Sequence, residues 1–332
     1  MCKTQTMSTA GSQETFEATE PSSFFSPFSL ISFLIELTVL FKRVLLSVLA
    51  ACFRFIFPRA RKNIAGCNVL VTGAANNIGC MLAWEFALRG ANLILVDLDA
   101  DGCANLADNI RDIGQAVKIY QCDLTKRDEI NRVMSDVLRD VGNVDILVNN
   151  AGIVSARRLQ DCPDVIIQRV MDLNIMASIW MTKAVLPGMQ QRNYGHIVNI
   201  ASLTGFIGIG GLVDLSTSKF ASVGFSEALH CELSQMKKDI KVSVVCPSLL
   251  DRGMFEGAKS RFPAPLQPEY AISEIMKGIL QDQEVIFIPW YMQFTPILKA
   301  VLPVGAFNAI VSFSTGMDIM KNIKGSKNSS LL

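Results

Sequence analysis

Short apolar runs alternate with longer amphipathic stretches from Cys67 to about residue 290, and that alternation leaves few folds open. The strand-like runs are 69–71, 93–96, 117–121, 146–148, 197–200, 242–245 and 285–288. Helical patterns such as 128–138 and 218–233 lie between most of them. A strand that is apolar at every position is covered on both faces, and strands separated by helices run parallel. The pattern therefore predicts an α/β fold, a doubly wound parallel sheet in a single domain over 63–290. No short tandem repeat is visible.

The flanks are different in kind. Residues 1–23 are polar, rich in Ser, Thr and Glu, and read as a disordered tail. They lack the basic and small-residue features of a cleaved signal peptide. Residues 24–58 are strongly apolar, with charges only at Glu36, Lys42, Arg43 and Arg54. The uninterrupted apolar stretches are shorter than the roughly 20 residues of a standard span. At 100° per residue Ser29, Ser32, Glu36, Arg43, Ser47 and Arg54 fall within about 40° of one direction, and only Lys42 lies well off that stripe. A helix with a narrow polar stripe and a wide apolar face suits a membrane-surface or hairpin anchor. A tilted span with snorkelling basic residues and a helix buried against a globular domain are the alternatives. Arg54, Arg59, Arg61 and Lys62 then form a basic cluster, which places the following domain on the cytosolic side of an endoplasmic reticulum membrane or lipid droplet. A second apolar region, 285–313, carries one charge, Lys299. Pro289, Pro296 and Pro303 break any straight spanning helix there. The extension 291–332 is expected as short segments lying on the domain or dipping into a membrane, with a frayed polar end from Lys321.

Composition removes several classes. The net charge of +1 argues against a nucleic-acid partner. Nine cysteines without a Cys-x-x-Cys fit neither a disulfide scaffold nor a zinc finger, and read as small buried hydrophobes in a reducing compartment. With only two histidines, His196 and His230, no multi-histidine metal site is expected.

Chemistry enters at the first strand, which runs into Thr72-Gly73-Ala74-Ala75-Asn76-Asn77-Ile78-Gly79 and then a helical stretch. A strand, a Gly-rich turn and a helix N-terminus bring backbone N–H groups up to a pyrophosphate. Asp97 ends the second strand, 24 residues after Gly73. A carboxylate there can bind a ribose 2′-hydroxyl and repels a 2′-phosphate, which favours NAD(H) over NADP(H). Asp123 ends the third strand and is expected beside the adenine.

These residues, with Asn149-Asn150-Ala151-Gly152, Asn174, Ser202, Lys219 and Pro247 following in order, resemble the short-chain dehydrogenase/reductase family over about 64–289. The apolar N-terminal segment, the run Arg261-Phe262-Pro263 and the stretch around Pro289-Trp290 look most like its membrane-bound retinol and 17β-hydroxysteroid dehydrogenase branch. The resemblance implies a Rossmann-type sheet with a nicotinamide cofactor at the carboxyl ends of its strands. The cofactor-binding positions it implies are Thr72, Gly73, Asn77, Ile78, Gly79, Asp97, Asp123, Asn150, Lys219 and Pro247. In active relatives a tyrosine exchanges the substrate hydroxyl proton as hydride moves to or from the nicotinamide. A serine hydrogen-bonds the substrate oxygen, a lysine four residues after the tyrosine lowers its pKa, and an asparagine holds a relay water. Asn174, Ser202 and Lys219 match three of these four catalytic positions.

The tyrosine has no match. The family's Tyr-x-x-x-Lys reads Leu215-Ser216-Thr217-Ser218-Lys219, and the chain's four tyrosines, Tyr120, Tyr194, Tyr270 and Tyr291, lie elsewhere. Asp214 points about 100° away on a helix. Ser218 shares the face of Leu215, but its hydroxyl is a poor acid. The loop's middle glycine is Asn77, a residue that tolerates the left-handed conformation. Past Pro247, where relatives often carry Gly and Thr, stand Ser248 and Arg252. Asn149 and Asn150 also read as backbone-bonding scaffold, His196 as a turn residue and His230 as a helix-surface residue. Two functions stand. One is a membrane-associated oxidoreductase for a lipophilic alcohol or carbonyl such as a retinoid, steroid or fatty alcohol, with a non-standard proton route. The other is a non-catalytic descendant that binds nucleotide or lipid, or pairs with itself or an active relative.

Overall fold

The structure, a computed structural model, describes residues 27–57, 59–75, 77–252, 258 and 260–315. The polar tail expected over 1–23 and the end from Lys321 lie outside the described residues. The chain divides into two compact units, with the boundary after Arg59.

The first unit is one helix, α1, Pro27–Ile56. Its apolar side chains, Phe33, Leu40, Phe41 and Leu45 among them, are exposed. Among the described residues no helix is long and apolar enough to cross a membrane.

The second unit holds seven strands: β1 Asn68–Thr72, β2 Asn92–Asp97, β3 Val117–Gln121, β4 Ile146–Asn149, β5 Gly195–Ile200, β6 Ile240–Pro247 and β7 Val285–Ile288. They lie in the order β3-β2-β1-β4-β5-β6-β7, and every pairing is parallel. Helices connect them: α2 Asn77–Ala87, α3 Ala100–Asp112, α4 Arg127–Asp140, α5 Asp164–Met171, α6 Ala177–Arg192, α7 Val213–Gln235 and α8 Pro268–Leu280. The period of two along each strand sends neighbouring residues to opposite faces. Val69 and Val71 pack with Phe86 of α2, Ile110 of α3 and Ile275 of α8. Leu70, between them, packs with Ile130 of α4, Val185 of α6 and Leu233 of α7. Continuous apolar strands are thus explained by two cores, each buried side chain contributing about 1.5–3 kcal/mol. Strand order reverses beside β1, which has β2 on one side and β4 on the other. At such a point the connections leave in opposite directions and open a crevice at the carboxyl ends.

Beyond β7 the chain forms a 3-10 turn, Trp290–Phe294, then α9, Thr295–Val301, and α10, Val304–Thr315. Met292 and Phe307 pack with Leu203 and Ile207, on the loop that follows β5. The three prolines precede or open these short pieces, as their missing N–H requires.

One expectation is corrected. His196 is not in a turn but inside β5, 1% exposed. The turn is made one step earlier by Asn193, at φ 50°, and the His196 N–H already pairs with Asp145 O at 2.9 Å. The imidazole Nδ1 lies 2.6 Å from Lys62 Nζ and Nε2 lies 2.8 Å from Ser243 Oγ. Lys62 in turn donates to Asp282 Oδ1 at 2.6 Å. Burial, with the Lys62 and Lys241 charges adding to it, holds the His196 pKa well below the usual histidine value.

Candidate active site

The turn after β1 is shaped by close backbone approach. Gly73 sits at φ +64°, and a Cβ there would meet Ala151 Cα at 2.8 Å. At Gly79 a Cβ would meet Gly73 O at 2.0 Å. Only glycine fits either place. Asn77 opens α2 at φ 50° with its side chain exposed. Ile78 packs against the core from the same turn.

Thr72 and Asn150 hold this loop to β4. The Thr72 hydroxyl accepts from the Asn150 and Ala151 N–H groups at 3.0 and 3.2 Å and donates to Val148 O at 3.3 Å. Asn150 Nδ2 donates to Thr72 O and Gly73 O, each at 3.0 Å. Both side chains fix the backbone of the loop. Asn149 is likewise scaffold, donating to Asn199 Oδ1 at 2.8 Å. Asp97 accepts from Ala75 N–H at 2.9 Å and Asp99 N–H at 3.0 Å, so its carboxylate stands at the rim of the Gly-rich turn. Asp123 accepts from the Thr125 hydroxyl at 2.6 Å. Burial works against its charge, but the bonds from Thr125 and Lys126 outweigh it and hold the pKa below the usual carboxylate value.

The second half of the site is built on β5, β6, α7 and a π-helical turn, Asp172–Met176, between α5 and α6. The wider turn carries Asn174 inward. Its Oδ1 accepts from Ile153 N–H at 2.8 Å, and Nδ2 donates to Ile153 O and Ser218 Oγ, each at 3.0 Å. Ser218 also donates to Leu215 O at 2.8 Å, tying the π turn to α7. Ser202 lies two residues past β5 and caps the short 3-10 turn Leu203–Gly205; its Oγ donates to Pro247 O at 3.3 Å and accepts from Thr204 N–H at 3.2 Å. Lys219 Nζ donates to Ile200 O at 2.8 Å. Burial lowers its pKa from 10.5 to about 8, and the neighbouring Cys246 opposes the shift only weakly, its own thiol pushed up by burial to about 12.

Leu215 stands one helical turn from Lys219 and is 1% exposed. It packs with Val154 and Leu212. Among the described residues no phenol takes its place: Tyr120 donates to Asp140, Tyr194 lies beside Cys67 and Tyr291 stacks on Phe262. Asp214 is buried beside it, one oxygen accepting from Leu215 N–H at 2.8 Å and the other without a hydrogen-bond partner among the described residues. Arg252 is exposed. The sequence reading missed the π turn, for which the residues carry no signal. It also missed Thr204, and named Ser248 only as a departure from Gly; the buried hydroxyls of both have no hydrogen-bond partner among the described residues. Both lie just beyond the ends of β5 and β6, and unmet polar atoms there suit a polar ligand edge.

This arrangement decides the relationship. A short chain dehydrogenase family model matches residues 67–261. The chain belongs to the short-chain dehydrogenase/reductase family. Epidermal retinol dehydrogenase 2 of Mus musculus is 42% identical over 274 residues, covering 81% of this chain and 89% of that one. Retinol dehydrogenase 10 of Homo sapiens is 36% identical over 312 residues, covering 85% and 91%. Among solved structures, a family member from Burkholderia phymatum in complex with NAD superposes with a TM-score of 0.66 at 22% identity, over 72% of this chain and 94% of that chain. One from Sphingobium yanoikuyae in complex with NADPH gives 0.64 at 28% identity, over 74% and 95%.

Proposed function

We propose that the chain is a membrane-associated oxidoreductase for a lipophilic alcohol or carbonyl, a retinoid first, that uses NAD(H) and lacks the usual phenolic proton donor. The retinol dehydrogenases at up to 42% identity support the substrate class. The exposed apolar surface of α1 supports attachment to endoplasmic reticulum membrane or lipid droplets. The residues fit a nicotinamide dinucleotide. Gly73 and Gly79 leave a backbone cradle without side chains, Asp97 rims it, and the unmet Ser248 hydroxyl lies beside Pro247. Asp97 favours NAD(H) because a carboxylate repels a 2′-phosphate. When bound, the cofactor supplies or accepts hydride. Ser202 then offers its hydroxyl to the substrate oxygen. Lys219 is a buried titratable group one helical turn from Leu215, and an amine with pKa about 8 exchanges protons near neutrality.

The observation that carries this reading is the presence of Asn174, Ser202 and Lys219, each buried and held by its own hydrogen bond, to Ser218 Oγ, Pro247 O and Ile200 O respectively. The leucine's burial in an apolar cluster favours the second reading, a non-catalytic nucleotide- or lipid-binding partner of an active relative. Turnover of retinol and hydroxysteroids with NAD(H), measured beside binding of NADH, separates the two. Binding without turnover selects the second, and absence of NADH binding defeats the first and the nucleotide-binding form of the second.

A further inference from the structure

The unit beyond Arg59 presents a second apolar surface, separate from α1. Residues 285–315 contain no Asp or Glu and one Lys. Burial does not explain this composition. Val301 and Val304 are 75% and 76% exposed, and Trp290, Phe294, Ile297, Phe313 and Phe262 are exposed with them. The surface is contiguous. Phe262 stacks on Tyr291 at 5.8 Å, Tyr291 meets Trp290 at 6.1 Å, and Trp290 meets Phe294 at 6.3 Å. It is also held rigidly. Ser314 O accepts from Ser260 Oγ, Arg261 N–H and Phe262 N–H at 2.9–3.1 Å, fastening the end of α10 to the 260–262 segment. Arg261 lies 4.5 Å over the Phe313 ring, and Lys299 lies 4.8 Å over Phe220. The sequence just beyond, 316–332, adds Lys321, Lys324 and Lys327 against a single Asp318.

We infer that this face, 290–315 with Phe262, rests in the interface of a phospholipid bilayer that carries anionic lipid. The charge pattern chooses this occupant: a rigid apolar surface ringed by aromatics, with cations at its edge and following it and no carboxylate within it, complements anionic headgroups over an acyl core. The same module bears on the site. Met292 and Phe307 sit on Leu203 and Ile207, and Lys299 donates to Phe206 O at 2.9 Å, just after Ser202. A bilayer under this face lies close to the loop that follows Ser202, so a lipophilic substrate enters from lipid instead of water.

The inference deepens the membrane reading above and rests on it, so its test separates the two. The full chain with Trp84→Phe and Trp180→Phe keeps Trp290 as its single tryptophan. It is reconstituted with vesicles of phosphatidylcholine and phosphatidylserine, with and without brominated acyl chains. Flotation reports attachment as a whole; quenching of Trp290 by brominated lipid reports this face. Emission is expected to fall about two-fold, and Val301→Asp with Val304→Asp to restore it. The same aspartate pair in the otherwise native chain gives a difference that reads Trp290 without the two phenylalanine changes. Flotation with quenching by aqueous iodide alone overturns the inference and leaves the membrane reading standing. Protection from both quenchers, with cross-linking between copies, overturns it in favour of a protein partner. Failure to float removes the membrane reading and this inference with it.

Discussion

Leu215 is buried one helical turn before Lys219, on the helix that also carries Ser218. At Leu215 a tyrosine would lie one turn from the Lys219 ammonium, and a nearby positive charge favours phenolate. Leu215→Tyr is therefore expected to create or raise dehydrogenase activity on retinol or a hydroxysteroid by at least about tenfold, against the 10²–10⁴ attributed to general acid–base catalysis. Wild type turning over like its relatives, with no gain from the tyrosine, would show that the proton already has a competent path. Lys219 yields a second prediction. Its pKa is lowered from 10.5 unfolded to about 8 folded. The unfolded chain thus binds more protons between those values, and stability rises with pH through that window. The desolvation cost is present in full below about pH 8 and amounts to about 3 kcal/mol, one pKa unit being about 1.4. Lys219→Met should flatten the rise in melting temperature between pH 8 and 10 while weakening NADH binding. A pH profile unchanged by the substitution would mean that the amine is not the group titrating.

At the scale of elements, the strands were legible because their signal is carried by consecutive residues. Each of the seven observed strands coincides with an apolar run, and each covered face is accounted for by the period of two. The Gly-rich turn was legible for the same reason: its constraint is local, a backbone approach that a Cβ at Gly79 would close to 2.0 Å. The π turn at Asp172–Met176 was not legible. One extra residue in a helical turn is fixed by what Asn174 must bond across the chain, to Ile153 and Ser218. Asn150 already read as backbone-bonding scaffold, but nothing in the sequence said that the Thr72 hydroxyl clasps β1 to β4. The turn also carries the departure easiest to reverse. Asn77 holds φ 50°, where glycine is unstrained, and its side chain is exposed at the start of α2, the position at which the proposed nucleotide would meet the Gly-rich turn. Asn77→Gly is expected to tighten NADH binding by about two- to tenfold, up to about 1.4 kcal/mol. Titration by nucleotide fluorescence reads this directly, and weaker binding would show that the asparagine side chain is itself a ligand group.

At the scale of the whole molecule the division after Arg59 sets an apolar helix apart from a domain that keeps its own core. The domain begins with a polar staple that sequence could not reveal, since nothing at Lys62 announces partners 134 and 220 positions away. Lys62 N–H donates to Leu280 O at 2.8 Å, and its ammonium joins Asp282 to His196. The imidazole accepts at Nδ1 and therefore carries its proton on Nε2, toward Ser243. The staple thus requires a neutral histidine. Its folded pKa lies below the unfolded 6.5, so the unfolded chain takes the proton first and stability falls as pH drops through that value. Lys62→Met removes the ammonium from between Asp282 and His196 and should cost about 1–3 kcal/mol, less than a fully buried pair because both Lys62 and Asp282 keep some water contact. A chain cut to 60–332 keeps the staple and should melt within a few degrees of full length, still bind NADH, and lose stable flotation on vesicles. Lys62→Met placed in that shortened chain should then lower its melting temperature as much as it does in full length. A larger loss in the shortened chain would mean that α1 itself supports the domain, and that the helix is a buried element instead of a membrane anchor.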